Sequence, residues 1–184
     1  MPLPIAHSLI GASVVAASNP GRPINTYWQQ LLAGALLATT PDLDYLPSWI
    51  FGADSDWHRG FSHSILFAAV VGFVAYVLGR TYVKTGIVFG IAVVSHGLVD
   101  ATVSMSAKGG VELLWPITHR FTFGLMEYPD TLDFIYDDPT DTLSIKGVYA
   151  LFTTSWHELL VCGFLFLMVL GVNRWIRTRR RVVK

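Results

Sequence analysis

HRGFSHSILFAAVVGFVAYVLG, residues 58–79, decides how this chain is read. From Ser62 to Gly79 it holds no Asp, Glu, Lys or Arg, and a helix needs about 20 mostly apolar residues, within a range of about 17–25, to cross a bilayer. Two further runs meet that requirement, Tyr82 to Val103 and Trp156 to Ile176. Ile5 to Ala17 and Tyr27 to Thr40 precede them as weaker stretches, either tilted spans or helices buried in a bundle. The expected fold is an all-α integral-membrane helical bundle of about five helices, three strong spans after two weaker N-terminal ones. A water-soluble bundle is disfavoured, because three nearly unbroken apolar helices in 184 residues would leave little polar surface to cover them.

Composition agrees. Apolar residues make up 52% of the chain and charged ones 14%, the latter against roughly 25% in an ordinary soluble domain. The length suits one domain spanning 1–184. A net charge of zero conceals polarity, since the tail 174–184 is basic and the stretch from Glu112 to Asp141 is mainly acidic. Residues 104–154, broken by Pro116, Pro129, Pro139 and Gly147, read as an irregular water-facing excursion. The lone Cys162 excludes an internal disulfide and a Cys-rich zinc site. The opening MPLPIAHSLIGAS lacks the basic leader of a secretory signal, so the spans are expected to remain in the mature protein. No nucleic-acid footprint is present: a short basic tail directly after a span suits anionic lipid instead.

Basic residues set the expected orientation. Arg177 to Arg181 abut the last span and belong in the cytoplasm by the positive-inside rule. Tracing backwards puts the excursion outside, Arg80 and Lys84 inside, and Asp42, Asp44, Asp54, Asp56 and His58 outside. Arg22 then falls inside and His7 outside if the two weak helices also cross. The N-terminus is out, the C-terminus is in, and His7, Asp42, Asp44, His58, His63, His96, Asp100 and His157 all reach the outer level.

Several of these residues have the chemistry of metal ligands. His96 and Asp100, four apart in an apolar helix, share one face. An ionisable group at membrane depth is expensive unless paired, wetted or metal-bound. In Pro41-Asp-Leu-Asp44 two carboxylates can reach one ion if the chain turns, although a polar capping turn is the plainer reading. His58 and His63 add imidazoles, and imidazole with carboxylate suits zinc, with manganese or magnesium as alternatives. Ser62 is placed to cap the helix that begins near His63. Arg59 offers a fork of donors for a phosphate or carboxylate. His58 is either a ligand or the group that carries a proton. His7 is a further ligand candidate, while His119, His157 and Glu158 have no assigned role.

His7, Pro41-Asp-Leu-Asp44, His58-Arg-Gly-Phe-Ser-His-Ser64, Ser95-His-Gly-Leu-Val-Asp100 and Leu113-Leu-Trp-Pro116 together resemble the YdjM-like family of membrane-bound, predicted metal-dependent hydrolases. That family is distantly similar to zinc-dependent phospholipase C. By that similarity Asp44, His63, His96 and Asp100 would be zinc ligands, with His7, Asp42 and His58 close beside them. The sequence departs from those enzymes in having His157 and Glu158 adjacent instead of a later His-x-x-x-Glu pair, so a full three-zinc site is not implied.

The expected function is a metal-dependent membrane hydrolase acting on an ester or phosphoester of a lipid or lipid-linked substrate. Its cofactor would be one to three divalent ions, zinc first. His58 and Arg59 would be catalytic and His7, Asp42, Asp44, His63, His96 and Asp100 metal-binding. The expected location is the inner (cytoplasmic) membrane, with the site on the extracytoplasmic side. The alternative is a metal-binding membrane protein without turnover, such as a transporter component. Transport would call for polar groups spread through the membrane, whereas here they gather at one level.

Overall fold

The apolar run at 58–79 becomes an α-helix only from Ile65. Ser64 has extended backbone and its Oγ accepts from the Phe67 N–H at 3.1 Å, so Ser64 caps the helix and Ser62 does not. Phe61–His63 is taken up in a tight 3-10 turn. The computed structural model describes residues 4–51, 58–79, 82–104, 110–117, 119–124, 126–127 and 145–182. Its α-helices are α1 (Pro4–Ala17), α2 (Trp28–Leu37), the short α3 (Leu46–Phe51), α4 (Ile65–Leu78), α5 (Val83–Thr102) and α6 (Ile145–Val182).

Two of these are long and apolar enough to cross a membrane, α5 and the Phe152–Arg180 part of α6. The third expected strong span is shorter. α4 has 14 residues, about 21 Å at 1.5 Å per residue, against a hydrocarbon core of about 30 Å. Its upstream residues were consumed by the turn that carries His63. α6 starts earlier than the sequence suggests, because no proline follows Pro139 and the helix from Ile145 onward accommodates Gly147 instead of breaking there. The C-terminal part of the expected 104–154 excursion is thus helical. Its remainder contributes a parallel pairing of Val103–Ser104 with Met126–Glu127 and an antiparallel bridge between Val111 and Phe121. Asp54, Asp56, Arg80, Pro129, Pro139 and Asp141 lie outside the described residues.

Small residues bring the helices together. α1 packs on α2, α5 and α6, and α4 packs on α5. A Cβ at Gly72 would lie 2.7 Å from the Gly86 carbonyl oxygen, and one at Gly11 would collide with Gly34 and come within 2.5 Å of the Ala38 Cβ. Such stripes let backbones approach closely when lipid supplies no hydrophobic drive. The larger core joins Ala12, Val15, Ala16, Tyr27, Leu31 and Phe89, with Phe166, Val169 and Leu170 of α6 against it. Big apolar side chains point outward instead: Phe73 on α4 is 64% exposed and Phe164 on α6 is 66% exposed. Small residues inside and large apolar ones outside is a distribution that a bilayer permits and water penalises.

Two polar clamps fix α6 to α1. The Ala6 N–H donates to Glu158 Oε2 at 3.2 Å, and Asn173 Nδ2 donates to the Ala16 carbonyl at 2.7 Å. The first satisfies an N-terminal N–H of α1 that its own helix cannot, and the second joins the Asn19 N–H on the Ala16 carbonyl. Their order makes α1 and α6 parallel. His7, Ala38, His63, His96 and Glu158 consequently belong to one end of the bundle. At the other end Lys84 Nζ donates to the Ser18 carbonyl at 3.2 Å, and Gly21, at φ 77°, packs against Ile176 and Arg177.

The α1–α2 contact yields a paired test. Gly11→Ala is expected to destabilise the detergent-solubilised protein by about 1–3 kcal/mol, the usual cost of overpacking. Gly163→Ala, whose added Cβ meets nothing within 4 Å, is expected to be neutral or to stabilise by up to about 1 kcal/mol through helix propensity. Thermal melts of the two variants check this, and equal destabilisation would contradict the packing.

Candidate metal centre

Four segments deliver side chains to one point. α2 ends at Leu37 and runs into a 3-10 turn, Thr40–Tyr45, in which Pro41 supports the early bend and Asp42 follows it. The turn before α4 brings His63, and the last two turns of α5 bring His96 and Asp100 on one face. The start of α1 brings His7. His7, His63, His96 and Asp100 are buried, while Asp42 keeps a side-chain exposure of 16% and forms the open edge.

Hydrogen bonds at the far side of each ring determine what faces the centre. His96 Nδ1 lies 2.8 Å from the Ala38 carbonyl, which can only accept, so Nδ1 carries the proton and Nε2 presents a lone pair. His63 Nδ1 lies 2.9 Å from Ser62 Oγ, whose own proton goes to Asp44 Oδ2 in a short hydrogen bond. The Nδ1 of His63 therefore donates and its Nε2 is also a lone pair. These two Nε2 atoms are 3.1 Å apart, and in the neutral rings neither carries a proton to join them.

Carboxylates complete the set. Asp100 Oδ2 is 3.3 Å from His63 Nε2 and 3.6 Å from His96 Nε2, and Asp42 Oδ1 is 3.3 Å from His96 Nε2 and 3.8 Å from His63 Nε2. Both oxygens of Asp42 and of Asp100 are buried without a hydrogen-bond partner. Ligand atoms held about 2.0–2.1 Å from a tetrahedral ion lie roughly 3.3–3.4 Å apart, so the observed separations match such a set. Orphaned carboxylate oxygens and opposed lone pairs are otherwise a costly burial, and a divalent cation removes that cost. The residues present fit a metal ion.

Protonation favours the same reading. Burial holds the His63 ring below the usual imidazole range, outweighing the neighbouring Asp100 carboxylate, which pulls it up. The ring stays neutral, as a ligand must. For Asp42 burial pushes the carboxyl up, but the neighbouring imidazole of His96 outweighs it and holds the carboxyl below the ordinary carboxylate value.

The remaining candidates stand around this centre. His7 stacks on His96 with ring centroids 3.7 Å apart, and its Nε2 is 3.5 Å from Asp100 Oδ1, the oxygen pointing away from His63. Asp44 lies outside the group of four: His58 Nδ1 holds its Oδ1 at 2.7 Å while Ser62 holds its Oδ2. Asp44, His58 and His63 form a second group able to hold an ion, although both carboxylate oxygens already accept hydrogen bonds there. Arg59 is buried, with backbone in the left-handed region at φ 68° and its carbonyl accepting from the Glu112 N–H at 2.9 Å. Such a conformation is uncommon for a non-glycine residue. His119 is exposed against Phe121, and His157 is exposed with Nδ1 2.7 Å from the Thr153 carbonyl. Glu158, its neighbour, is buried, a role invisible in the dipeptide. The available signal was spacing, because Thr154 and Glu158 lie four apart on the buried face of α6.

A family model described as YdjM inner membrane protein matches residues 1–179. The chain belongs to this family. It is 38% identical over 94 residues to inner membrane protein YbcI of Escherichia coli strain K12, an alignment covering 47% of this chain and 53% of that protein. The chain thus matches about half the length of that relative. No solved structure matches. Membership of the YdjM family, the span-length helices and the inverted burial make this an all-α integral-membrane bundle whose clustered His and Asp residues are capable of coordinating a metal ion.

The inner four and Asp44 are expected to contribute differently to metal binding. His96→Ala and Asp100→Ala are each expected to lower zinc or cobalt affinity by more than the ~10–100-fold that Asp44→Asn costs as an outer partner. Metal titration monitored by cobalt absorption would show this order, and an Asp44→Asn loss as large as that of His96→Ala would instead make Asp44 a direct ligand.

Proposed function

We propose that this YdjM-family protein is a metal-dependent membrane hydrolase acting on an ester or phosphoester, with a membrane lipid or lipid-linked molecule as substrate. The observation that carries the reading is the meeting of the His63 and His96 ring nitrogens at 3.1 Å between two carboxylates whose oxygens are buried and unpartnered. Asp42, His63, His96 and Asp100 would hold the ion, preferably zinc, with His7 steadying Asp100 from its other oxygen. Once bound, a divalent ion supplies Lewis acidity toward an ester or phosphoryl oxygen and a water made acidic at neutral pH.

The chain's own groups supply the rest. His58 lies outside the four, with Nδ1 fixed to Asp44 and a side-chain exposure of 10%, so its Nε2 is the group assigned to carry a proton to the leaving oxygen. Asp44 sets the tautomer of His58 and, through Ser62, that of His63. Arg59 is the anion contact, its guanidinium suited to a phosphate or carboxylate. Lipid is the favoured substrate because the cluster sits where helices end and its surroundings are apolar. The basic far end of the bundle supports a cytoplasmic C-terminus and an extracytoplasmic site in the inner membrane. On this reading the described non-helical residues among 104–154 lie on the extracytoplasmic side.

One observation favours a non-catalytic metal site. Four protein ligands complete a tetrahedron, as structural zinc sites do, whereas catalytic ones keep a position open. The partial exposure of Asp42 is the point at which the two readings divide.

A panel of phospholipids and lipid phosphates in mixed micelles is expected to reveal turnover that a chelator abolishes and zinc restores. His58→Ala is expected to keep its metal while losing about 10²–10⁴-fold in kcat, the usual scale of proton-transfer catalysis. Metal binding without turnover on any member of the panel would leave the structural site as the correct reading.

A further inference from the structure

The segment between Val111 and Ile117 has its main chain tied to the candidate centre, with Val111 and Leu113 buried and the side chains beyond Leu113 turned outward. The Ile65 N–H donates to the Leu113 carbonyl at 3.0 Å, just after the turn that carries His63, and the Glu112 N–H donates to the Arg59 carbonyl at 2.9 Å. Leu113 is buried, with its Cδ2 about a Cβ contact from Gly97, the neighbour of His96. Beyond it Leu114, Trp115 and Ile117 are exposed, Ile117 by 62%. The ring of Phe61, also exposed, meets Trp115 edge-on at 5.0 Å and Phe67 at 5.4 Å.

A loop in water is usually polar, yet Leu113 to Ile117 reads Leu-Leu-Trp-Pro-Ile. Its outward face adjoins the exposed face of α4, which begins with Ile65 and Leu66 and continues through Val70, Phe73 and Val77. The apolar surface of that helix therefore extends past its capped end and onto the loop. Trp and Tyr at the ends of spans mark the headgroup level, and Trp115 stands at that place.

We propose that Phe61, Leu114, Trp115 and Ile117 form a lip immersed in the outer leaflet, over which the acyl chains of a membrane lipid lie while its polar group reaches Arg59 and the metal cluster. The occupant is an acyl-bearing lipid arriving sideways from the leaflet, and the lip's continuity with the α4 face is the argument for it. This deepens the hydrolase reading and rests on it for the chemistry at the cluster. It assigns to the loop a role that neither metal binding nor helix packing requires.

Nitroxide labels at Ile117→Cys and, separately, Leu114→Cys, in a Cys162→Ser background, test the lip in nanodiscs of phosphatidylcholine and phosphatidylglycerol. Each label is expected to be several-fold more accessible to oxygen than to a water-soluble nickel complex, as a label at Phe73→Cys on α4 is. Accessibility at both loop positions equal to that of a free nitroxide in buffer would overturn the lip. Depth is read without metal or turnover, so the outcomes separate. A water-exposed loop on an active hydrolase removes only the lip, whereas an immersed loop on a protein without turnover retains the lipid contact and removes the hydrolase.

Discussion

Two imidazole nitrogens face each other at 3.1 Å with their protons committed elsewhere, and the rest of the structure is arranged around that conflict. The Ala38 carbonyl turns one ring and the Ser62 hydroxyl the other, so neither can resolve it by switching tautomer. Asp42 and Asp100 add negative charge at the same point. Such a group is stable only with a cation at its centre or with extra protons. This is why a metal-binding reading follows from hydrogen-bond donors and acceptors alone, before any resemblance is invoked.

Holding the conflict in place demands rigid elements. Ala38 follows α2, so its carbonyl is positioned by the contact of Gly11 with Gly34, and the His63 turn is fixed by the close approach of its carbonyl to Gly97. Glu158 and Asn173 then lash α1, which carries His7, to α6. The stripe of small residues thus acts at a distance on ligand geometry. Outside this frame the helices carry large apolar side chains that lipid can cover, and the frame has no need of a thick hydrophobic core.

The outer chain from His58 through Asp44 and Ser62 to His63 gives the second carboxylate of Pro41-Asp-Leu-Asp44 a task different from the first. Asp42 faces the centre with unpartnered oxygens, whereas Asp44 is consumed by two hydrogen bonds. Residues two apart in a tight turn point in different directions, so one motif serves both the inner set and its support. This division separates the present geometry from the ligand set implied by likeness to phospholipase C, in which Asp44 takes the inner place.

Much of this was legible in the sequence. Apolar runs between polar punctuation gave away the helices, and the spacing of His96 and Asp100 on one helical face exposed the pair that matters most. The shared level of His7, Asp42, His63 and His96 followed from counting spans, because a bilayer restricts ionisable groups to helix ends or paired interiors. Local spacing could not show that Ser64 rather than Ser62 caps α4, that Glu158 rather than His157 turns inward, or that Asp42 and Asp44 part company. Those choices depend on partners 14 to 152 residues away in the chain. The sequence by itself determined a helical membrane protein with a layer of metal-ligand chemistry at one end. Only the tertiary structure decided which atoms meet there, because a lone pair's direction is set by whatever holds the other side of its ring.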